Sequence, residues 1–479
     1  MPMENVEKKL QVLMFPWLAK GHILPFVELA KRLAHHGVKI IFLSTPSNIS
    51  WISPLLLQET ELLQIDLMEL PLPIVEGLPE GAESTAEVPV EMHDALKIAL
   101  DKLEKPFEDL LKRLSPDYVI YDFSQYWAAT VAAKIDIPAG LFYILNAAFC
   151  SYALLPSRCN DDDTTVADLT APPPGYPSSV IAWQPFEARY ILGAYNGPSG
   201  EILQIHRCLR SMQGSAFIAI RSAFPIEGKF IRFLEAATGK AVVPVGLLAP
   251  EIPHGKKLSE QESFCLTWLD KQNPSSVLYV SFGSECFLSK EQICAMALGI
   301  EATGLPFLWV LRFPRFSDCN TQNFFDEKSK VSALLPEGFE SRTRERGVVY
   351  TAWAPQLHIL AHPSVGGFLS HSGWSSVVEA VKFGVKLVLL PLNGDQGINA
   401  RLAAGELEVG VEVERQEDGS FTDEQIRTAV LKVMNDQDQA RELKSKMSEM
   451  KRKTFGEGGS EEMCIQEFIE HIRLCKATN

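Results

Sequence analysis

The sequence predicts an α/β protein with two doubly wound, Rossmann-like parallel-sheet domains that face each other across a cleft. The chain has 479 residues, which is too long for one ordinary hydrophobic core. Apolar strand patterns alternate with helical patterns in both halves, as is typical of parallel sheets. A stretch rich in Pro, Gly, Lys and Glu interrupts this alternation at residues 246–263, and it predicts an interdomain linker.

The first half begins with a β-loop-α-β pattern. Leu10–Phe15 and Val38–Ser44 are short apolar runs that predict buried strands. The helical stripe between them consists of Phe26, Leu29, Ala30 and Leu33. A second unit follows, in which residues 96–114 predict one long helix, kinked near Pro106, ahead of the strand Tyr118–Tyr121.

The second half repeats this order. Val277–Phe282 predicts a strand, and the pair Ser289 and Gln292 predicts a helix start, because the two side chains form a capping box. Gly304 predicts the end of that helix, and Phe307–Leu311 predicts the next strand.

These patterns divide the chain into four segments. The first domain covers residues 1–245, the linker 246–263, the second domain 264–455 and a final helical segment 456–479. That last segment carries an apolar stripe that requires a docking surface. Its members are Cys464, Ile465, Phe468, Ile469 and Ile472.

Composition excludes several functional classes. The net charge is −15 and the chain has no basic cluster, so nucleic acid is a poor candidate ligand. No apolar stretch is long enough to span a bilayer, and the polar start does not resemble a signal peptide. Nine cysteines without a Cys-x-x-Cys pair favour reduced thiols over a disulfide or zinc framework. We therefore expect a cytoplasmic location, and we expect a monomer.

Two polar residues follow predicted strands at the same sheet edge. His22 lies in the loop after the first strand and can act as a general base for a hydroxyl group. Asp122 follows Tyr118–Tyr121 and can orient that histidine and stabilise its imidazolium form. The alternatives are a helix-start histidine bonded to backbone and an aspartate that caps the next helix.

Small and polar residues are densest between Trp353 and Gln396. Gly367–Ser370 predicts a strand, and a helix is predicted from about Gly373, with Trp374, Ser375 and Ser376 in its first turn. Backbone N–H groups at such a helix start bind phosphate without a lysine or a metal. This region therefore predicts a nucleotide site.

The run Trp353–Gln396 resembles the signature box of the plant family-1 UDP-glycosyltransferases. The resemblance covers essentially the whole chain, because Phe15–His22 is similar to the family's catalytic-histidine loop and Val280–Ser284 to its second donor loop. It implies the GT-B fold, with an acceptor-binding first domain, a UDP-sugar-binding second domain and a last helix that returns to the first. It implies His22 as the catalytic base and Asp122 as its partner.

The resemblance also implies the nucleotide contacts. Trp353 would stack on uracil next to Ala354, while Gln356 and Glu379 would hold the ribose. No metal ion and no other cofactor is required in such enzymes, whose partners are the UDP-sugar and a small-molecule acceptor.

Further contacts are implied for the phosphates and the sugar. Ser284, His371 and Ser376 would contact the diphosphate, and Asp395 and Gln396 would hold the sugar hydroxyls. Gln396 favours glucose, with xylose and rhamnose as alternatives.

The box departs from the family's usual His-Cys-Gly-Trp-Asn, because this chain has His371-Ser372-Gly373-Trp374-Ser375. The change to Ser375 removes a longer amide donor near the diphosphate. Trp374-Ser375, together with the Phe15–Ala19 segment and Ser44-Thr45-Pro46, resembles the branch-forming subgroup, whose members glycosylate sugars that are already attached. We therefore expect an inverting transfer to a sugar hydroxyl of a flavonoid or terpenoid glycoside, with direct transfer to an aglycone as the alternative.

Other classes fit the residues less well. A dinucleotide-dependent dehydrogenase would need G-x-G-x-x-G after the first strand, where Gly21 is the only glycine. A glycosidase could use Asp122, Glu379 and Asp395, but two of these carboxylates lie in the predicted nucleotide box. A metal-dependent transferase could use Asp161–Asp163, but this run lies in a Pro- and Thr-rich loop and is typical of a solvated surface. A non-catalytic nucleotide-sugar-binding protein would not need the pair His22 and Asp122.

Overall fold

A computed structural model describes residues 9–56, 64–159, 164–196, 202–252, 258–283, 286–312 and 333–477. It contains two parallel sheets. The first is seven-stranded in the order β3-β2-β1-β4-β5-β6-β7. Its strands are β1 (Gln11–Phe15), β2 (Lys39–Ser44), β3 (Ile65–Glu69), β4 (Tyr118–Tyr121), β5 (Ala139–Tyr143), β6 (Ile218–Ile220) and β7 (Val242–Pro244).

The second sheet is six-stranded in the order β10-β9-β8-β11-β12-β13. Its strands are β8 (Val277–Ser281), β9 (Phe307–Val310), β10 (Gly347–Tyr350), β11 (Val365–Ser370), β12 (Lys386–Leu389) and β13 (Gly410–Glu412). Each pair of neighbouring strands in both sheets is parallel. The predicted fold class of two doubly wound parallel-sheet domains is confirmed.

Helices cover the faces of both sheets, which is why the central strands consist of nearly continuous apolar residues. The α-helices before residue 246 are α1 (Lys20–His35), α2 (Pro46–Leu56), α3 (His93–Asp101), α4 (Glu104–Leu114), α5 (Ala128–Ala133), α6 (Ala147–Ala153), α7 (Pro156–Cys159), α8 (Val166–Thr170), α9 (Pro185–Asn196), α10 (Gln204–Gly214) and α11 (Phe224–Thr238). Those after it are α12 (Glu260–Leu269), α13 (Lys290–Thr303), α14 (Phe339–Thr343), α15 (Gln356–Leu360), α16 (Trp374–Phe383), α17 (Gln396–Arg401), α18 (Asp423–Met434), α19 (Gln437–Phe455) and α20 (Ser460–Ala477).

Local signals set several helix boundaries. Helix α13 starts at the predicted capping box of Ser289 and Gln292 and ends at Gly304, whose φ of 71° is left-handed. The single kinked helix predicted over residues 96–114 is wrong, because α3 ends at Asp101 and α4 begins at Glu104. Pro106 lies in the first turn of α4, where its missing N–H breaks no helical bond.

Two helices lie at the predicted borders of the second domain, α12 at its start and α20 after its end. Helix α12 begins at Glu260, inside the range 246–263 that the sequence assigned to the linker, and Ser259 caps it. Helix α20 packs against the first sheet, where Phe468 contacts Phe217 with ring centroids 5.8 Å apart. The Glu461 carboxylate accepts hydrogen bonds from the backbone N–H groups of Leu247 and Leu248 at 2.7 and 2.8 Å. These contacts connect the end of the chain to the first domain.

Candidate active site

The strand order creates one crevice in each sheet. The order reverses between β1 and β4 in the first sheet and between β8 and β11 in the second. Loops after such strand pairs diverge and leave room for a ligand at the carboxyl ends of the strands. In register, Phe15 pairs with Tyr121 and Ser281 with Ser370. The residues that follow these four positions form the site.

His22 and Asp122 meet at the first of these crevices. Nδ1 of His22, near the start of α1, lies 2.7 Å from Oδ2 of Asp122, directly after β4. A carboxylate can only accept, so Nδ1 carries the proton in this contact. The His22 side chain is 21% exposed, whereas that of Asp122 is 1% exposed. The buried carboxylate thus fixes the orientation of the ring through Nδ1, and Nε2 is the ring nitrogen that can accept a proton.

Asp122 is itself held by backbone donors. Oδ2 also accepts the N–H of Trp17 at 3.1 Å, and Oδ1 accepts the N–H of Phe123 at 2.7 Å. The Phe123 ring lies 5.4 Å from the His22 ring, centroid to centroid. Three donors therefore fix the position of one carboxylate, which can stabilise an imidazolium on His22.

Trp353 presents an open aromatic face in the second domain. It follows β10, and it is 58% exposed. The Arg312 guanidinium lies 5.4 Å from the centre of the indole ring. The backbone carbonyl of Ala354 accepts the N–H of Gln356 at 2.9 Å, which forms the turn into α15. An exposed indole beside a cation is suited to stack on a flat heterocycle.

A carboxamide three residues after that indole, Gln356, is hydrogen-bonded to the carboxylate of Glu379 on helix α16 (Trp374–Phe383). Nε2 of Gln356 donates to Oε2 of Glu379 at 2.7 Å, and the hydroxyl of Tyr279 donates to Oε1 of Gln356 at 3.1 Å. Burial raises the pKa of Glu379, while the Gln356 bond and the charges of Arg221 and Lys382 oppose that shift. The pair can accept hydrogen bonds from hydroxyl groups of a ligand.

The His371 ring lies between two glycines at the second crevice. A Cβ atom at Gly373 would lie 2.4 Å from its Nε2, and one at Gly283, where φ is 73°, would lie 3.1 Å from its Cε1. Only residues without a side chain allow the ring this position. Burial lowers the pKa of His371 to about 4, so the ring is neutral near pH 7. Its buried Nδ1 has no hydrogen-bond partner among the described residues.

The helix that follows starts with two contacts to the other domain. Nε1 of Trp374 donates to the backbone carbonyl of Arg221 at 3.0 Å, and Nη1 of Arg221 donates to Oγ of Ser375 at 2.8 Å. Ser376 is buried in the same turn. Gly373 precedes α16 without a side-chain cap, so the first N–H groups of the helix remain available to an anion.

Asp395 and Gln396 behave differently from each other. The Gln396 side chain closes on its own loop, because Oε1 accepts the N–H of Leu392 at 2.9 Å and Nε2 donates to Oδ1 of Asn393 at 2.9 Å. Burial raises the pKa of Asp395, while a hydrogen bond from Asn399 and the electrostatic interaction with His22 lower it. The Asp395 carboxylate is therefore held by a residue of its own helix, whereas the Gln396 amide is held by the preceding loop.

Sequence reasoning missed two polar residues of the site. Nδ2 of Asn399 donates to Oδ2 of Asp395 at 2.6 Å, and its Oδ1 accepts from Nδ2 of Asn146 in the first domain at 2.6 Å. The sequence pattern that could have identified Asn399 was its spacing of four residues from Asp395, which places both on one side of a helix. Arg221 directly follows the buried strand β6, which is the same signal that identified Asp122.

The remaining predicted positions have separate outcomes. Ser284 and the Asp161–Asp163 run lie outside the described residues. In the described part of the chain, no cluster of three or more His, Cys, Asp or Glu side chains could hold a metal ion. Within the same ranges, no helix has both the length and the apolar character needed to cross a bilayer.

Comparisons with known proteins match both halves of the chain. The model of the UDP-glucoronosyl and UDP-glucosyl transferase family matches residues 258–452, and that of the glycosyltransferase N-terminal domain matches residues 8–177. An anthocyanidin-3-O-glucoside rhamnosyltransferase of Petunia hybrida is 38% identical over 91% of this chain and 89% of its own length. A soyasaponin III rhamnosyltransferase of Glycine max is 37% identical over 98% of this chain and 96% of its own.

A solved structure extends the similarity to three dimensions. The Glycyrrhiza uralensis protein UGT73P12, crystallised with glycyrrhetinic acid 3-O-monoglucuronide, aligns with a TM-score of 0.80 at 26% identity. The alignment covers 98% of this chain and 97% of the other. The similarity thus spans both sheets.

Proposed function

The chain belongs to the UDP-glycosyltransferase family, and from this we propose that it transfers a sugar from a UDP-sugar to a sugar hydroxyl of a flavonoid or terpenoid glycoside, with inversion and without a metal ion. The coarser part of this statement, UDP-glycosyltransferase activity, follows from family membership. The observation that carries the mechanism is the 2.7 Å hydrogen bond between His22 and Asp122 at the carboxyl edge of the first sheet.

The reaction is a single displacement. Nε2 of His22 accepts the proton of the acceptor hydroxyl as its oxygen attacks the anomeric carbon, and the bond from that carbon to UDP breaks. UDP leaves with the electron pair, and the configuration inverts because the two groups occupy opposite faces. Asp122 stabilises the imidazolium through the Nδ1 hydrogen bond.

The leaving diphosphate would lie at the start of helix α16 (Trp374–Phe383). Its first N–H groups, Ser376 and the neutral His371 ring can donate to the growing charge, and Ser284 would add a further donor. Donors that are already oriented need no reorganisation during the reaction. This supports metal-independent catalysis, and the open indole of Trp353 with the pair Gln356 and Glu379 supports a uridine position beside it.

The donor sugar has three candidates, which are glucose, rhamnose and xylose. Gln396 favours glucose through the sequence resemblance. Rhamnose is the second candidate, because the Gln396 amide is engaged by its own loop and because two relatives are named rhamnosyltransferases. Asp395, which is electrostatically coupled to His22, would contact the sugar in each case.

The acceptor proposal rests on the branch-forming sequence pattern and on the names of relatives. The Petunia hybrida relative is named for an anthocyanidin glucoside and the Glycine max relative for a soyasaponin. These names correspond to the flavonoid and terpenoid glycoside classes. Direct transfer to an aglycone is the competing outcome.

The test is a turnover panel read by mass spectrometry, with EDTA present. UDP-glucose, UDP-xylose and UDP-rhamnose are each paired with flavonoid and triterpenoid aglycones and with their monoglycosides. We expect a mass gain only on monoglycosides, and its loss in His22→Ala. Transfer to aglycones alone would refute the sugar-on-sugar acceptor, and inactivity in EDTA that Mg²⁺ restores would refute metal independence. Undiminished turnover in His22→Ala would refute the proposed base.

A further inference from the structure

Arg221 is a buried cation that the proposed reaction does not yet use. It directly follows β6 in the first domain and is 2% exposed. Nε donates to the carbonyl of Leu247 at 2.7 Å, and Nη2 donates to that of Leu248 at 3.4 Å. Two backbone carbonyls after β7 therefore fix the guanidinium plane within the first domain.

From that position Arg221 reaches the second domain. Its Nη1 donates to Oγ of Ser375, and its backbone carbonyl accepts Nε1–H of Trp374, at 2.8 and 3.0 Å. Trp374 and Ser375 are the first two residues of helix α16. Arg221 of the first domain thus makes two hydrogen bonds to the start of helix α16. It donates one through its guanidinium and accepts the other at its backbone carbonyl.

The charge of Arg221 is retained in this position. Burial lowers its pKa to about 10, and the carboxylates of Glu379, Glu461 and Glu28 oppose that shift. The guanidinium is therefore protonated near neutral pH. Its charge adds to the positive end of the α16 dipole, where an anion binds.

The bond to Ser375 also determines how that hydroxyl can act. A serine hydroxyl has one O–H donor and two acceptor lone pairs. Because a guanidinium can only donate, the contact uses a lone pair of Oγ and leaves the O–H free to donate elsewhere. The free hydrogen therefore remains available at the helix start, beside the N–H groups.

We propose that Arg221 is a cross-domain positioning residue that holds Ser375 so that its O–H donates to the diphosphate of the UDP-sugar. The proposal deepens the function proposed above and rests on it. Ser375 replaces the longer asparagine that is usual at this position in the resembling family. The hydrogen bond from Arg221 compensates for the shorter side chain of Ser375. It also makes diphosphate binding depend on the relative placement of the two domains.

The test compares the binding of UDP and of uridine by calorimetry in Ser375→Ala, Arg221→Lys and the double variant. The lysine retains the charge but cannot make the three donations of the fork. Losing one hydrogen bond weakens binding by about 10-fold. We expect about that loss for UDP in each single variant, a similar loss in the double variant because the two residues act as a unit, and unchanged affinity for uridine, which lacks phosphates.

Arg207→Lys is the matched control. Arg207 is a fully buried arginine of the first domain whose donations go to Asp101 and to the Ser124 carbonyl, so its replacement should leave UDP binding unchanged. Additive losses of about 100-fold in the double variant, an equal loss for uridine, or unchanged UDP affinity in Ser375→Ala would each overturn the proposal. Should Arg221→Lys be insoluble, the ratio of UDP to uridine affinity in Ser375→Ala decides. A wild-type protein that does not bind UDP would instead refute the proposed function.

Discussion

Replacing Asp122 by asparagine tests the proposed catalytic pair with little change in shape. The carboxylate accepts from Nδ1 of His22, from the N–H of Trp17 and from the N–H of Phe123. Asparagine has one oxygen acceptor and adds two N–H donors, so it cannot serve all three groups. It also removes the negative charge that faces the imidazolium formed during transfer.

The size of the effect follows from the geometry. A unit charge pair about 4 Å apart, at an effective dielectric constant of about 20, is worth about 4 kcal/mol. At about 1.4 kcal/mol for each factor of ten, the rate should fall by about 10³-fold. The loss should be in kcat, because neither residue lies at the predicted nucleotide site, and UDP affinity should be retained.

Asp117→Asn is the matched control. Asp117 precedes the same strand that Asp122 follows, it is also buried, and its Oδ2 accepts the N–H of Gln11 at 2.8 Å. The two positions are about 16 Å apart along an extended strand. Asparagine also has a side-chain oxygen that can accept the N–H of Gln11, and Asp117 does not contact His22, so this variant should retain its kcat.

The assay is steady-state turnover with thermal unfolding as a check on folding. The double variant His22→Ala with Asp122→Asn should be no slower than His22→Ala alone, since the two residues act together. A loss below about 10-fold in Asp122→Asn, against the about 10³-fold expected from the charge pair, would refute the assigned role of the carboxylate. An equal loss in Asp117→Asn would show that the effect is structural.

Three further changes probe the second domain. Trp353→Ala should weaken UDP binding by about 10-fold in calorimetry, because stacking on a base is worth about 1–3 kcal/mol, whereas Trp353→Phe should retain part of that affinity; equal affinity in both variants would contradict stacking. Gly373→Ala should abolish most turnover, because the new Cβ would lie 2.4 Å from Nε2 of His371 and would displace the ring. Gly193→Ala is the control and should retain turnover, because Gly193 is exposed on a helix and its Cβ would have no atom within 4 Å. Full activity in Gly373→Ala would show that the position of the His371 ring is unimportant. Burial lowers the pKa of His371 from its ordinary value of 6.5 to about 4, so its contribution to stability is fully present above pH 6.5 and is lost as pH falls toward 4, by up to about 3 kcal/mol. His371→Gln should flatten this part of the thermal stability profile between pH 7 and 5. A profile that is unchanged by the substitution would refute the assignment.

Buried polar contacts also connect the two domains away from the proposed transfer site. Nη2 of Arg401 donates to Oε2 of Glu187 in the first domain at 2.8 Å. Asn146 and Asn399 form a second connection through their amides. Buried pairs of this kind are costly to break, because a separated partner remains without a hydrogen bond. The relative placement of the domains is therefore specified by several polar contacts, of which the contact from Arg221 to Ser375 is one.

Much of this protein follows from its sequence alone. Period-two and period-3.6 apolar patterns are local, so the alternating elements, the capping box of α13 and the class of each sheet were predictable. His22 and Asp122 were also identifiable, because residues that follow neighbouring parallel strands meet at one edge. The break between α3 and α4 was not, since one apolar face continues through both helices and conceals the interruption at Lys102 and Leu103.

The tertiary structure decided how the two halves of the site cooperate. Arg221 and Ser375 are 154 positions apart in the chain, and Asn146 and Asn399 are 253 apart. No local periodicity encodes such pairs, because each forms only when two independently patterned domains dock. The sequence also did not predict that the Gln396 amide bonds to its own loop, because that depends on the direction of the side chain in the folded structure. The sequence therefore predicted that His22 and Asp122 meet at one sheet edge, and the docking of the domains determined which residues bond across the cleft.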